Sequence, residues 1–333
     1  MQDRPIVVAG AGSIGCFVGG LMAAAGHSIS LLARPRVIDE IERLGLTLTS
    51  LEGSLHHVAS RQIKLSDDPK LFADARFVLV TVKSADTAAI ADAIARYAPK
   101  DAIIVSLQNG IGNAAMLRGK LPDMTVLAAM VPFNVIGKGE GRFHRATSGD
   151  IVIERDVAET AAQLSVPGLA MRASDDIAGV QWGKLLVNLN NAINALSGLT
   201  LREQLARRDW RRLFADQFAE GLAALRADGI KPRSATPVPP GWTPHLLRLP
   251  DALFRIALAP AMKIDPEARS SMWEDLERRR RTEIDYLQGV ITEIADRRGL
   301  KAPLSSRIVT LIRDAEAKSE GSPRLTVEQI RQT

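Results

Sequence analysis

The chain opens with an apolar run, Pro5 to Ala9, that passes directly into Gly10-Ala11-Gly12-Ser13-Ile14-Gly15 and then into a run of small and apolar residues, Phe17 to Ala25. A strand, a GxGxxG turn and a helix in that order open a βαβ unit that holds a dinucleotide. Each glycine has a distinct duty: Gly10 permits the tight turn, Gly12 lets the backbone approach a pyrophosphate, and Gly15 lets the helix pack on the strand. Ala11, Ser13 and Ile14 complete the loop, and the helix N-terminus adds N–H donors and a positive dipole end. A second strand, Ser28 to Leu32, ends about 20 residues past the motif, where a reader of NAD would carry Asp or Glu. Arg34 and Arg36 stand there instead. Two guanidiniums and no carboxylate suit a 2′-phosphate, so the expected cofactor is NADP(H).

At 333 residues the chain is long enough for two domains. Hydrophobic content of 46% with 24% charged residues excludes a disordered or fibrous protein. Cys16, the single cysteine, sits just inside the dinucleotide helix and reads as a packing residue; nothing calls for an oxidising compartment. The first strand is reached within five residues of Met1, with no signal-peptide pattern, and Phe17 to Gly26 is too short to span a bilayer, so the expectation is a cytoplasmic protein with no membrane partner. The net charge is +5 and the basic residues are scattered apart from Arg278 to Arg281, with aromatic content of only 4%. That pattern argues against nucleic acid and suits a phosphate-bearing cofactor with an anionic substrate.

From residue 1 to 172 apolar runs alternate with helical segments, which predicts a Rossmann-type parallel sheet. Its later strands are expected at Phe77–Val82, Ala102–Leu107 and Val126–Met130, with weaker ones near Ile151–Ile153 and Leu169–Met171. Ligands on such sheets lie beyond the strand carboxyl ends, which directs attention to Lys83-Ser84 and to Gln108 through Gly112. From 173 to 333 helical periodicity takes over, predicting an all-helical second domain broken by the proline-rich Pro237 to Pro244. The residues from Ser319 onward read as a loosely held tail.

Two helical segments break their own pattern. In Trp182 to Asn194, a mostly apolar stretch, Lys184, Asn188 and Asn191 fall at i, i+4 and i+7 on one face. An ammonium and two amides with no carboxylate beside them can donate hydrogen bonds to an anionic or carbonyl substrate; the alternative is a solvated face. Around Thr282 to Leu287 the apolar stripe Met272, Leu276, Leu287, Val290, Ile294 includes Glu283, aiming a carboxylate inward. An Arg279–Glu283 pair at i, i+4 is a structural reading that can coexist with a functional one. His27, His56, His57 and His245 lack ligand spacing, so no metal is expected, and His144 reads as a strand-end residue.

GAGSIG, VTVKS with Lys83, SLQNGIG with Asn109, WGKLLVN with Lys184 and Asn188, and RRRTEIDYLQG with Glu283 together resemble the ketopantoate reductases over most of the chain. The resemblance implies NADPH-dependent reduction of a 2-oxo acid to a 2-hydroxy acid. By it Lys184 is the general acid and Glu283 a contact to a substrate hydroxyl; Asn109 bridges cofactor and substrate, and Lys83 lies beside both. It gives Asn188 the substrate and Ser271 the substrate carboxylate, in a monomer or a homodimer. Ala192 and Ala268 stand where members acting on ketopantoate tend to carry Asn, and the Thr236–Pro260 connection is long, which opens the alternative of another small 2-oxo acid. A non-catalytic dinucleotide-responsive protein is the remaining alternative.

Overall fold

The computed structural model describes residues 4–234, 238–258 and 265–332, which divide into two compact units, Met1–Ile177 and Ala178–Thr333. The first unit holds strands β1 Ile6–Ala9, β2 Ile29–Leu32, β3 Leu46–Ser50, β4 Leu55–Val58, β5 Ile63–Ser66, β6 Phe77–Val80, β7 Ile103–Ser106, β8 Thr125–Met130, β9 Val135–Gly139, β10 Arg142–Arg145, β11 Ile151–Glu154 and β12 Met171–Ser174. Its helices are α1 Ser13–Ala24, α2 Pro35–Leu44, α3 Thr87–Tyr97, α4 Asn113–Lys120 and α5 Thr160–Leu164.

The main sheet runs β12-β11-β8-β7-β6-β1-β2-β5. From β8 to β5 every pairing is parallel, as a βαβ pattern requires, but β11 pairs antiparallel with β8 and carries β12 parallel to itself. The expectation of a parallel sheet therefore holds for six strands and is corrected at the far edge. The last strand also begins at Met171, two residues later than the Leu169 start expected.

A second, four-stranded sheet, β4-β3-β10-β9, was not anticipated. Its strands are short and mix His, Arg, Thr and Gly, so they lack the apolar runs that signal a strand. It explains why α1 is apolar on all sides: the helix is covered by both sheets. A Cβ at Gly19 would lie 2.9 Å from Leu31 of the main sheet, and one at Gly20 would lie 2.8 Å from Leu48 of the second. Cys16 is buried there, its thiol donating to the Ala11 carbonyl at 3.5 Å, and burial pushes that thiol up to about 12, where it is inert.

α6 Ile177–Asn188 leads into the second unit, where α7 Asn190–Ser197, α8 Leu201–Ala206, α9 Arg208–Ala227, α10 Thr243–Leu247, α11 Asp251–Leu258, α12 Ser271–Glu277, α13 Gln288–Arg297, α14 Pro303–Lys318 and α15 Val327–Arg331 follow. Among the described residues this unit contains helices and no strand, as expected. Parts of the proline-rich passage and of the 236–260 connection lie outside the described residues. No helix among the described residues is long and apolar enough to cross a membrane.

The tail is not loose. Ser322 donates to the Ala195 carbonyl at 2.6 Å, Leu325 N–H to Leu196 O at 2.8 Å, and α15 buries Val327 and Ile330.

The segment carrying Glu283 also departs from expectation. α12 stops at Glu277, and Arg279 adopts a left-handed φ of 53°. The Arg280 N–H then bonds Asp275 O and the Arg279 N–H bonds Leu276 O, the pattern of a Schellman cap. A 3-10 turn, Ile284–Tyr286, separates α12 from α13, so no continuous stripe links Leu276 to Leu287. Arg278 pairs with Glu274 at i, i+4, 3.5 Å apart, and Arg279 and Glu283 do not share a helix.

Candidate active site

In the first unit the glycine loop is built from three contacts. The N–H groups of Gly10 and Ala11 donate to Leu32 O at 3.3 and 3.2 Å, tying the loop to the end of β2. Gly10 has φ 114°, and a Cβ there would meet Thr81 and Val82 at 2.9–3.1 Å. At Gly15 a Cβ would stand 2.0 Å from Gly10 O, so only glycine lets α1 start against this turn. Thr81 Oγ1, directly after β6, braces the loop by donating to Gly10 O at 2.6 Å.

Gly12 behaves differently. As the N-cap of α1 it has φ −82° and ψ −171°, which any residue adopts, and a Cβ there would meet nothing within 4 Å. The helix start has neither a side-chain cap nor an acidic residue in its first turn, leaving its N–H groups and dipole for an anion. This open approach beside an uncapped N-terminus fits the pyrophosphate of a dinucleotide. Ser13 and Ile14 are half-buried in the same turn. Arg34 is the N-cap residue of α2, two residues beyond the Leu32 carbonyl that holds the loop; it and Arg36 are exposed, and the first turn of α2 carries no acid.

The loops after β6 and β7 rest on a buried polar network that sequence reading did not foresee. Ser106 Oγ donates to Gln108 Oε1 at 3.0 Å, and Gln108 Nε2 donates to Val82 O at 3.1 Å and to Thr87 Oγ1 at 2.7 Å. Thr87 Oγ1 donates to Asn113 Oδ1 at 3.0 Å; Asn113 Nδ2 donates to Ser84 Oγ at 3.0 Å and to Asn109 O at 2.8 Å. Ser84, Gln108 and Asn113 are thus structural, and their network presents Lys83 and Asn109, both exposed. Gly110 and Gly112, at φ 83° and 91°, supply the left-handed turns that the loop needs.

In the second unit, α6 is approached closely by chain. A Cβ at Gly183 would lie 1.8 Å from the Arg233 carbonyl, and the Arg233 N–H donates to Gly179 O at 2.7 Å. This clamp fixes the helix one residue before Lys184. Lys184 is half-buried, and burial of its ammonium pulls its pKa down to about 8. Asn188, the last residue of α6, is buried, whereas Asn191 is half-buried on α7. The expected single helix is two, divided at Leu189, so the three-residue face crosses a break.

Neighbouring amides have other work. Asn194 donates to Leu199 O and to Gln204 Oε1, both at 3.0 Å, and accepts from the Ser270 N–H at 2.8 Å; Gln204 Nε2 donates to Asn190 Oδ1 at 2.8 Å. Ser270 Oγ donates to Asn191 O at 2.9 Å and caps α12 by accepting from Trp273 N–H at 3.1 Å. α12 is thereby fastened to α7. Ser271 is exposed at the first position of α12, and Ala192 and Ala268 are both buried. Glu283 is half-buried at the N-cap of the 3-10 turn, with its carbonyl accepting from Tyr286 N–H at 3.0 Å. The Thr282 N–H beside it donates to Glu316 Oε1 at 2.7 Å. Lys184, Asn188, Asn191, Ser271 and Glu283 therefore belong to the helical unit, and Gly10 to Gly15, Arg34, Lys83 and Asn109 to the other.

Comparison with known proteins gives two consecutive family matches along the chain. Residues 6–156 match the family model described as ketopantoate reductase PanE/ApbA, and residues 176–316 match its C-terminal counterpart. The 2-dehydropantoate 2-reductase of Halobacterium salinarum is 28% identical over 320 residues, covering 93% of this chain and 98% of the relative. A PanE/ApbA family ketopantoate reductase structure from Ralstonia eutropha aligns with a TM-score of 0.79 at 32% identity, over 95% of this chain and 99% of that one. The ternary structure of a D-mandelate dehydrogenase with NADH and anilino(oxo)acetate shares the fold, with a TM-score of 0.77 at 20% identity over 95% of this chain and 99% of that one.

Proposed function

The chain belongs to the ketopantoate reductase family of oxidoreductases, and on that premise we propose that it reduces 2-dehydropantoate to pantoate with NADPH. The cofactor is a nicotinamide dinucleotide, held by the Gly10–Gly15 loop with Lys83 and Asn109 beside it; the choice of NADPH rests on Arg34 and Arg36 standing where a carboxylate would select NAD. When bound, its dihydronicotinamide supplies the hydride.

The observation that carries the reading is Lys184, an ammonium pulled down to about 8 by burial on a helix face shared with the amide of Asn188. Negative charge grows on the keto oxygen as the carbon is reduced. A protonated Lys184 stabilises that charge and transfers its proton to the oxygen, completing the hydroxyl. Glu283 accepts a hydrogen bond from a substrate hydroxyl and so orients the carbon. Asn188 and Asn191 donate to the substrate, and Ser271 takes its carboxylate. A cytoplasmic setting, as a monomer or a homodimer, suits a chain whose single cysteine is buried and inert.

A second reading, reduction of a different small 2-oxo acid, is favoured by Ala192 and Ala268, two buried alanines where family members acting on ketopantoate tend to carry Asn. Oxidation of NADPH and of NADH, followed with ketopantoate and a panel of other 2-oxo acids, tests both. A kcat/KM for ketopantoate that exceeds every other acid supports the first reading; a clear preference for another acid replaces it with the second.

A further inference from the structure

A single residue, Leu189, lies between α6, which carries Lys184 and Asn188, and α7, which carries Asn191. Its carbonyl oxygen accepts the side-chain Nε2 of Gln288 at 2.7 Å, across 99 residues of chain. Gln288 is the first residue of α13, follows Glu283 by five positions and is fully buried. Its other amide atom, Oε1, is buried with no hydrogen-bond partner among the described residues.

A buried amide satisfied on one side carries the desolvation cost of its orphaned acceptor, a cost that methionine, of similar length, does not carry. Packing alone does not account for a glutamine here. In an uninterrupted α-helix the Leu189 carbonyl would be held by the N–H four residues on, that of Ile193. At this position it is engaged by Gln288, and the helix is interrupted at that residue.

We propose that Gln288 is a positioning residue: its hydrogen bond to Leu189 keeps α6 and α7 as two helices and ties the face of Lys184 and Asn188 to the segment that carries Glu283. The inference rests on the catalytic assignment above. Without the bond, the Leu189 carbonyl, on a residue that already keeps helical angles of φ −56° and ψ −28°, passes to Ile193, and the Glu283 segment loses the one of its anchors that reaches the Lys184 helix. Displacements near 1 Å at a reacting centre can lower turnover about a hundredfold.

The test compares the full-length parent with Gln288→Met, which keeps length and removes the donor, and Gln288→Asn, which keeps the donor on a shorter arm. Turnover is measured with NADPH and the parent's best 2-oxo acid, alongside thermal melting and NADPH binding. The pH dependence of Lys184 reductive methylation, read by mass spectrometry, reports the lysine's surroundings without requiring turnover. Gln288→Met should melt near the parent and bind NADPH as the parent does, with kcat lowered about ten- to a hundredfold and a shifted methylation midpoint. Gln288→Asn should fall between the two. A folded Gln288→Met protein with parental kcat and a parental methylation profile overturns the proposal. If Gln288→Met does not fold, a Gln288→Asn protein with parental kcat and profile overturns it equally. A parent that turns over no 2-oxo acid refutes the functional reading, and a methylation shift in the variants then still supports the positioning role.

Discussion

Lys184 carries opposite consequences for stability and for turnover. Burial disfavours its charged form, so the folded protein releases the proton near 8, whereas the unfolded chain holds it up to the ordinary value of 10.5. Between those values the unfolded state binds more protons, and stability should rise with pH; turnover, which on the proposed mechanism uses the ammonium, should fall as pH rises through about 8. Lys184→Met should therefore melt no lower than the parent at neutral pH while kcat drops by about two to four orders of magnitude and NADPH affinity stays the same. Melting curves, cofactor titration and a kcat profile against pH check each part; a folded variant with near-parental kcat removes Lys184 from the mechanism. Arg34→Asp should act on the cofactor alone, weakening NADPH by about 1.5–3 kcal/mol, roughly tenfold to a hundredfold in Kd, with NADH little changed. Equal parental affinity for the two cofactors would refute the assignment.

At the scale of elements, the glycines of one motif separate into those the fold requires and the one the ligand requires. Gly15→Ala forces a Cβ to 2.0 Å from a backbone oxygen and should cost roughly 1–3 kcal/mol or more, seen as a lowered Tm. Gly12→Ala meets nothing and keeps ordinary backbone angles, so it should melt near the parent and yet bind NADPH poorly, because the added methyl occupies the approach to the helix start. Gly183→Ala, aimed at the Arg233 carbonyl, should lower both Tm and kcat by disturbing the helix that holds Lys184. The glycine loop was legible because strand, turn and helix each leave a local pattern. The break at Leu189 was not, since it depends on a side chain 99 residues away. Glu283 fits a helical stripe in sequence, yet it lies beyond the end of α12, which a left-handed Arg279 closes, a conformation for which sequence offers glycine as its usual marker.

For the whole molecule, the residues proposed to hold the cofactor fall in one compact unit and the proposed proton donor in the other. In hydrogen exchange, NADPH alone should protect Gly10 to Ala24 and the loops at Lys83 and Asn109, leaving the amides of α6 and α12 at their free rates until a 2-oxo acid is added. Protection of α12 by NADPH alone would contradict the assignment. Fold class was readable at this scale from the change of periodicity after residue 172, because parallel strands and a run of helices each impose their own repeat. The second sheet escaped notice because its short, polar strands gain their place by covering α1, a long-range benefit that leaves little trace in any local window.

The docked tail bears on how the protein is made. Ser322 grips the Ala195 carbonyl and Leu325 the Leu196 carbonyl, so α7 is completed by residues translated 127 positions later. At about 5–20 residues per second a ribosome needs on the order of ten seconds to cover that span. During this interval the amide-rich stretch that follows Lys184 exists with its closing partner still unmade. The helical unit must therefore finish its fold after synthesis of Leu325, and a nascent chain arrested before that point would expose the α7 surface to chaperones or to other chains.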